Sequence, residues 1–170
     1  MAYHSSKFML YALTQKGGRQ VEFSTIDDIL EFALEKEDAS YRLYKSAARM
    51  STNPSARKLF EEMAEQEAAH KRFIQQLDKV KIASYKSKTV PDLKISEYLV
   101  DIPYREDMTY QEILVYSMKS EEKSCRLYTE AETMTDDPEL KKLFLMLANE
   151  EKKHKFYLES IYDDKVLTDM

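Results

Sequence analysis

Four stretches of the chain carry apolar residues at three- and four-residue spacing, the pattern of a helix with one buried face. In the first stretch Ile26, Leu30, Ala33, Glu37, Ser40, Tyr44 and Ala47 share a face; in the second, Ala56, Phe60, Met63, Glu67, His70, Ile74 and Leu77 do. The third row is Tyr110, Leu114, Ser117, Glu121, Ser124, Tyr128 and Ala131, and the fourth is Leu140, Phe144, Leu147, Glu151, His154, Leu158 and Ile161. Every row is interrupted near its middle by ionisable groups: one glutamate in the first and third, a Glu-x-x-His pair in the second and fourth.

Local chemistry sets the ends of these helices. Thr25 with Asp28, and Thr109 with Glu112, have capping-box spacing, which starts the first and third helices there. Asn53-Pro54 and Asp137-Pro138 put a good N-cap before a proline whose missing N–H costs nothing in the first turn, which starts the second and fourth. The same prolines disfavour helical geometry in the residue before them, so the first helix ends near Met50 to Thr52 and the third near Met134 to Asp136. Two short turns therefore make two antiparallel hairpins. The stretch from about Val80 to Met108 is long enough to cross a bundle, and "PDLKISEYLVD" within it is expected to form a short outer helix. The predicted fold is an all-α four-helix bundle over residues 24–163 with one long crossover, preceded by an extension over 1–23 and followed by a tail over 164–170. In the extension, alternating apolar residues flank Gly17-Gly18 between Phe8 and Phe23, as in a hairpin or an interface arm.

The two hairpins are copies. "RLY" at Arg42 to Tyr44 recurs at Arg126 to Tyr128, an offset of 84, and the same offset lays Ile29 on Ile113, Pro54 on Pro138 and "KLF" at 58–60 on "KLF" at 142–144. It also lays Glu37 on Glu121, Glu67 on Glu151 and His70 on His154, so an internal duplication accounts for both halves of the pattern.

Composition supports long helices. The 170 residues include only two glycines and four prolines and no tryptophan, which disfavours a sheet built on tight turns. A formal charge of −5 argues against broad nucleic-acid binding, and the basic run Lys79, Lys81, Lys86 and Lys88 reads as a solvated linker. The single cysteine, Cys125, excludes an internal disulfide framework and reads as a packed residue at the repeat position of Tyr41. His4 belongs to no motif. The apolar run Phe8 to Leu13 is shorter than a signal-peptide core, and no stretch approaches membrane-spanning length. A soluble, unprocessed, cytoplasmic protein is expected.

The six interruptions carry the chemistry. Residues three apart lie about 60° apart around a helix and about 4.5 Å along it, so each Glu-x-x-His pair can address one centre. Four carboxylates in a low-dielectric layer cannot all stay ionised without compensation, since each unpaired buried charge costs several kcal/mol. Two divalent cations would supply four positive charges against them, with both histidines neutral and coordinating. Glu37, Glu67, His70, Glu121, Glu151 and His154 are therefore the expected ligands of a dinuclear metal site.

This pattern resembles the ferritin-like di-iron carboxylate proteins, and more narrowly a rubrerythrin-type member. The motifs that carry the resemblance are "EKEDASYRLY" with "EQEAAHKRF" and "SEEKSCRLY" with "NEEKKHKFY", over about residues 24–163. It implies the same six ligands, and it matches Tyr44 and Tyr128 to family tyrosines beside the metals, where they would donate hydrogen bonds to ligating carboxylates. Two departures stand out. Rubrerythrins carry a further glutamate three residues after the third-helix ligand, where this chain has Ser124, and Glu122 lies about 100° away around the helix. A four-cysteine electron-transfer module is missing, so the electrons are expected from an external donor. The chain also ends at Met170, without room for the extra C-terminal helix of cage ferritins.

The function expected is that of a non-haem di-iron oxidoreductase reducing hydrogen peroxide or oxygen; the alternatives are a ferroxidase or iron-handling protein, for which iron itself is the substrate, and a structural or partner-binding metal-stabilised bundle without turnover. Mixed oxygen and nitrogen ligands suit iron, and also manganese or zinc. A homodimer or higher homo-oligomer is expected.

Overall fold

The computed structural model describes residues 26–76, 90–105 and 107–164. Four helices dominate them: α1 over Ile26–Met50, α2 over Pro54–Gln76, α3 over Tyr110–Thr133 and α4 over Pro138–Tyr162. No strand occurs among the described residues, and no helix in them is long and apolar enough to cross a membrane. The chain is an all-α four-helix bundle in which α1 packs along α2, α3 packs along α4, and the hairpins meet through α1 with α3 and α2 with α4.

The helix starts follow the expected chemistry. Asn53 Oδ1 accepts from the backbone N–H of Ser55 at 2.8 Å and of Ala56 at 3.1 Å. Asp137 Oδ1 does the same for Glu139 at 2.8 Å and Leu140 at 3.3 Å. At α3 a complete capping box forms, with the Glu112 side chain accepting from the Thr109 N–H at 2.8 Å and Thr109 Oγ1 accepting from the Glu112 N–H at 3.3 Å. Each arrangement satisfies amides that the first helical turn leaves unpaired. Thr25, the extension, Leu77, the basic run after it and residues 165–170 lie outside the described residues.

The buried face of each helix is wider than a single row. Ile29 is fully buried while its neighbour Leu30 is half-buried, and Tyr110, Leu140 and Ile161 are half-buried too. The core comes in two clusters. One gathers Ile29, Ala33, Ile74, Leu127, Leu143, Phe144 and Leu147, from the start of α1, the end of α2, the end of α3 and the start of α4. The other gathers Leu43, Ala47, Phe60, Met63, Leu114, Met118 and Leu158 from the opposite ends. This alternation makes α1 antiparallel to α3 as well as to α2. The six polar residues of the stripes lie between the clusters.

Where a short outer helix was expected, the described part of the crossover carries a four-residue 3-10 helix, Ile95–Tyr98. Side chains compete for its amides. Asp92 Oδ1 accepts from the Lys94 N–H at 2.9 Å, Lys94 adopts a left-handed φ of 57°, and Glu159 of α4 accepts from the N–H groups of Leu93 at 3.2 Å and Ser96 at 3.1 Å. Lys155 completes the fastening, with its Nζ 2.7 Å from Asp92 and 3.5 Å from Glu159.

Candidate metal centre

All six interrupting residues meet in one layer at mid-bundle, and none is more than 3% exposed. α1 brings Glu37, α2 brings Glu67 and His70, α3 brings Glu121, and α4 brings Glu151 and His154. Their ligand-capable atoms form two overlapping groups. Glu37, Glu67, His70 and Glu151 offer four atoms within 4.8 Å of one another, and so do Glu67, Glu121, Glu151 and His154. Glu67 and Glu151 are common to both groups, while each helix hairpin supplies the remaining glutamate and histidine of one. The duplication in sequence is therefore a duplication in space.

His70 Nδ1 lies 3.1 Å from both Glu37 Oε2 and Glu67 Oε2 and 3.3 Å from Glu151 Oε1. His154 Nδ1 lies 2.9 Å from Glu67 Oε1, 3.7 Å from Glu151 Oε2 and 3.9 Å from Glu121 Oε2. The two imidazoles stack with centroids 5.7 Å apart. His70 Nδ1 is hydrogen-bonded to Glu37 and Glu67, but Glu67 Oε1, Glu121 Oε2, Glu151 Oε1 and His154 Nδ1 are buried and make no hydrogen bond. Buried polar atoms are normally satisfied, so four unsatisfied ones in one layer point to a missing partner. Divalent cations fit this donor set, which mixes carboxylate oxygen with imidazole nitrogen in two groups of four.

Two tyrosines cross between the halves. Tyr44 of α1 donates its hydroxyl hydrogen to Glu121 of α3, and Tyr128 of α3 donates to Glu37 of α1. Both rings are fully buried, Tyr44 against Phe60 and Tyr128 against Phe144, so the hydroxyls are held in place by packing. Burial, reinforced by the charge of Glu37, drives the Tyr128 phenol well above its usual range and keeps it a donor.

The protonation pattern divides the carboxylates. Burial, then the charges of Glu151 and Glu67, raise Glu37 well above the ordinary glutamate range. Burial and Glu151 do the same to Glu121. Glu67 and Glu151 are lowered: burial opposes ionisation, but the neighbouring imidazoles outweigh it at Glu67, and the proximity of Glu121, His154 and His70 outweighs it at Glu151. For the histidines burial disfavours the charged ring, yet the surrounding carboxylates raise His70 well above its usual range and push His154 up to about 10. Without metal these directions favour protons on Glu37, Glu121 and the two imidazoles over Glu67 and Glu151.

Three surrounding residues had no signal in the apolar rows. Gln66 Oε1 lies 2.7 Å from His154 Nε2, where it accepts the ring N–H and leaves Nδ1 facing the layer. Lys36 donates to Ser120 Oγ at 3.4 Å. All three sit on the flank of the buried face, where sequence periodicity does not separate half-buried from exposed. Ser124 is buried on the inward row, whereas Glu122 is half-buried, 4.0 Å from Lys119, and belongs to neither metal-capable group. Cys125 is also outside those groups; it is half-buried beside a groove lined by Asp92, Lys152 and Lys155, and burial raises its thiol pKa.

The rubrerythrin family model matches residues 28–108 and 112–169. Among solved structures, a hypothetical protein from Pyrococcus furiosus has the same fold: TM-score 0.61 at 19% identity, over 82% of this chain and 89% of that one. No curated protein matches.

Proposed function

Since this chain belongs to the rubrerythrin family and encloses a Glu/His layer with two metal-capable groups, we propose that it is a dinuclear non-haem iron protein. In this reading it reduces hydrogen peroxide or oxygen with electrons from an external donor. The observation that carries the proposal is the pair of overlapping ligand groups sharing Glu67 and Glu151. Glu37 and His70 would hold one ion, Glu121 and His154 the other, and the shared glutamates both. When bound, the two irons supply the electrons and the open coordination positions that a small oxidant needs.

The chain's own residues supply the setting. Tyr44 and Tyr128 orient Glu121 and Glu37 through their hydroxyls. Gln66 fixes the tautomer that turns His154 Nδ1 inward. The apolar clusters above and below the layer exclude bulk water, which favours a substrate of a few atoms over a large organic one.

Anaerobic loading with ferrous ion, followed by oxygen or peroxide, tests the reading. Two electrons consumed per chain with reduction of the oxidant support it. Many irons oxidised and retained per chain would mean that iron is the cargo, and loading without oxidation would reduce the metal to a structural role; either result overturns the oxidoreductase assignment.

A further inference from the structure

Beside the ligands, the inward rows of the two halves differ in polarity at one position. One turn after the glutamates of α1 and α3, Ser40 is matched by Ser124, but one turn before them Ala33 is matched by Ser117. The corresponding neighbours on α2 and α4 are apolar in both halves, Met63 with Leu147 and Ile74 with Leu158. Ala33 and Ser117 are both fully buried, so the repeat supplies its own comparison. The fold packs this position with a methyl group in one half, and packing does not call for a hydroxyl in the other. Ser117 Oγ has no hydrogen-bond partner among the described residues. A buried hydroxyl left in that state is destabilising, and alanine would avoid the cost.

The neighbourhood of Ser117 defines what would satisfy it. Ser117 stands four residues before Glu121 on α3, so the two side chains stack on one face with about 5–6 Å between their Cβ atoms. That gap is close to the span of one small molecule hydrogen-bonded at both ends. Glu121 is tied through Oε1 to the Tyr44 hydroxyl. Its other oxygen, Oε2, is buried without a hydrogen bond and lies 3.9 Å from His154 Nδ1. The rest of that side is apolar, with Leu114, Met118, Met63 and Leu158 in one cluster. On the opposite side of the layer Ala33 belongs to the other cluster, and the Tyr128 hydroxyl is already engaged with Glu37. A spare hydroxyl therefore lies next to the layer on one side only.

We propose that Ser117 binds the small oxidant, holding a hydrogen-bonding molecule of two heavy atoms, hydrogen peroxide in preference to dioxygen, on the Glu121–His154 side of the layer. This rests on the dinuclear reading above and adds to it a side of approach and a choice between the two oxidants. Peroxide can accept from the Ser117 hydroxyl and donate to Glu121 Oε2, whereas dioxygen has no hydrogen to donate and is a feeble acceptor. A site that contains a buried hydroxyl selects the partner that satisfies it over the analogue that does not.

Azide, a small anion that accepts hydrogen bonds, is the probe, added anaerobically to the cobalt(II)-loaded full chain and followed by visible absorption. Wild type is expected to give a saturable spectral change. Ser117→Ala should bind azide about tenfold more weakly, the loss of one hydrogen bond to a charged ligand, with cobalt stoichiometry unchanged. The exchange variant Ala33→Ser with Ser117→Ala carries the hydroxyl to the equivalent position of the other half and should restore the affinity, which a mere packing defect at Ser117 would not allow. Stopped-flow oxidation of the ferrous protein reads the choice of oxidant: Ser117→Ala should slow the reaction with peroxide about tenfold and leave that with oxygen unchanged. The proposal is overturned, with the dinuclear reading intact, by an azide affinity unchanged in Ser117→Ala, by failure of the exchange variant to restore it, by no azide response in wild type, or by equal slowing with both oxidants. A chain that takes up no cobalt, or whose ferrous form reacts with neither oxidant, overturns both.

Discussion

Glu37 and Glu121 are inward-facing carboxyls that burial raises well above the ordinary glutamate range, and that sets what their removal does. In metal-free protein Glu37→Ala deletes a buried polar group from a crowded layer, so folding stability should hold or rise, although Tyr128 loses its acceptor. In the presence of metal the same change should sharply weaken ion retention. Glu35→Ala, on the exposed side of α1, and Glu122→Ala, outside both ligand groups, are the controls and should change neither property. Metal content after gel filtration, together with urea melts of the metal-free variants, checks this; loss of metal in Glu35→Ala and not in Glu37→Ala would mean that the site has been misassigned. A pH dependence belongs to the same residues. His154, raised from 6.5 to about 10, stabilises the fold fully below pH 6.5, and that contribution is lost as pH rises through about 10. His70, Glu37 and Glu121 are also raised and lose their contributions in the same direction. Glu67 and Glu151, being lowered, contribute above the ordinary glutamate range and lose that contribution as pH falls through their folded values. Metal-free protein should therefore weaken steadily from pH 6.5 to 10, and denaturant midpoints that stay level across that range would contradict the protonated layer.

At the scale of elements, the sequence made the helices legible because each boundary has its own local chemistry, and the site legible because six polar residues break otherwise apolar rows. The cap at Thr109, the prolines at 54 and 138 and the inward register of Glu37, Glu67, His70, Glu121, Glu151 and His154 all follow from spacing of three to four residues. The crossover was not legible in that way. Glu159 stands outside the inward row of the fourth helix, yet it is fully buried and takes two backbone amides from a segment more than sixty residues away. Periodicity has no access to contacts of that range, and the same blindness hid the contact of Lys36 with Ser120. The consequence for stability is specific. Glu159→Ala leaves the Leu93 and Ser96 amides and the Lys155 ammonium short of a partner, and should cost about 2–3 kcal/mol, read as a lower urea midpoint. Metal stoichiometry should be unchanged, because Glu159 lies outside the ligand layer. A variant as stable as wild type would show that the crossover is fastened by other contacts.

For the molecule as a whole, the polar layer draws on all four helices and lies between two apolar clusters that draw on opposite ends of each helix. Such a layer would drive the hairpins apart if its four carboxylates were ionised together. The structure offers two ways to neutralise it. Protons can do so, with two on Glu37 and Glu121 and two on the imidazoles, or two divalent ions can, with all four glutamates ionised and both rings neutral. Because both states balance to zero, metal-free protein should keep its helical circular dichroism near neutral pH. Metal loading is then an exchange of two ions for about four protons. Calorimetric titration at pH 7 in buffers of different ionisation enthalpy measures that number directly. A release close to four, with affinity falling steeply as pH is lowered, is the expected result. A release near zero would show that the carboxylates and imidazoles already stand deprotonated in the empty layer, and the bundle would then need another source of cohesion at its centre.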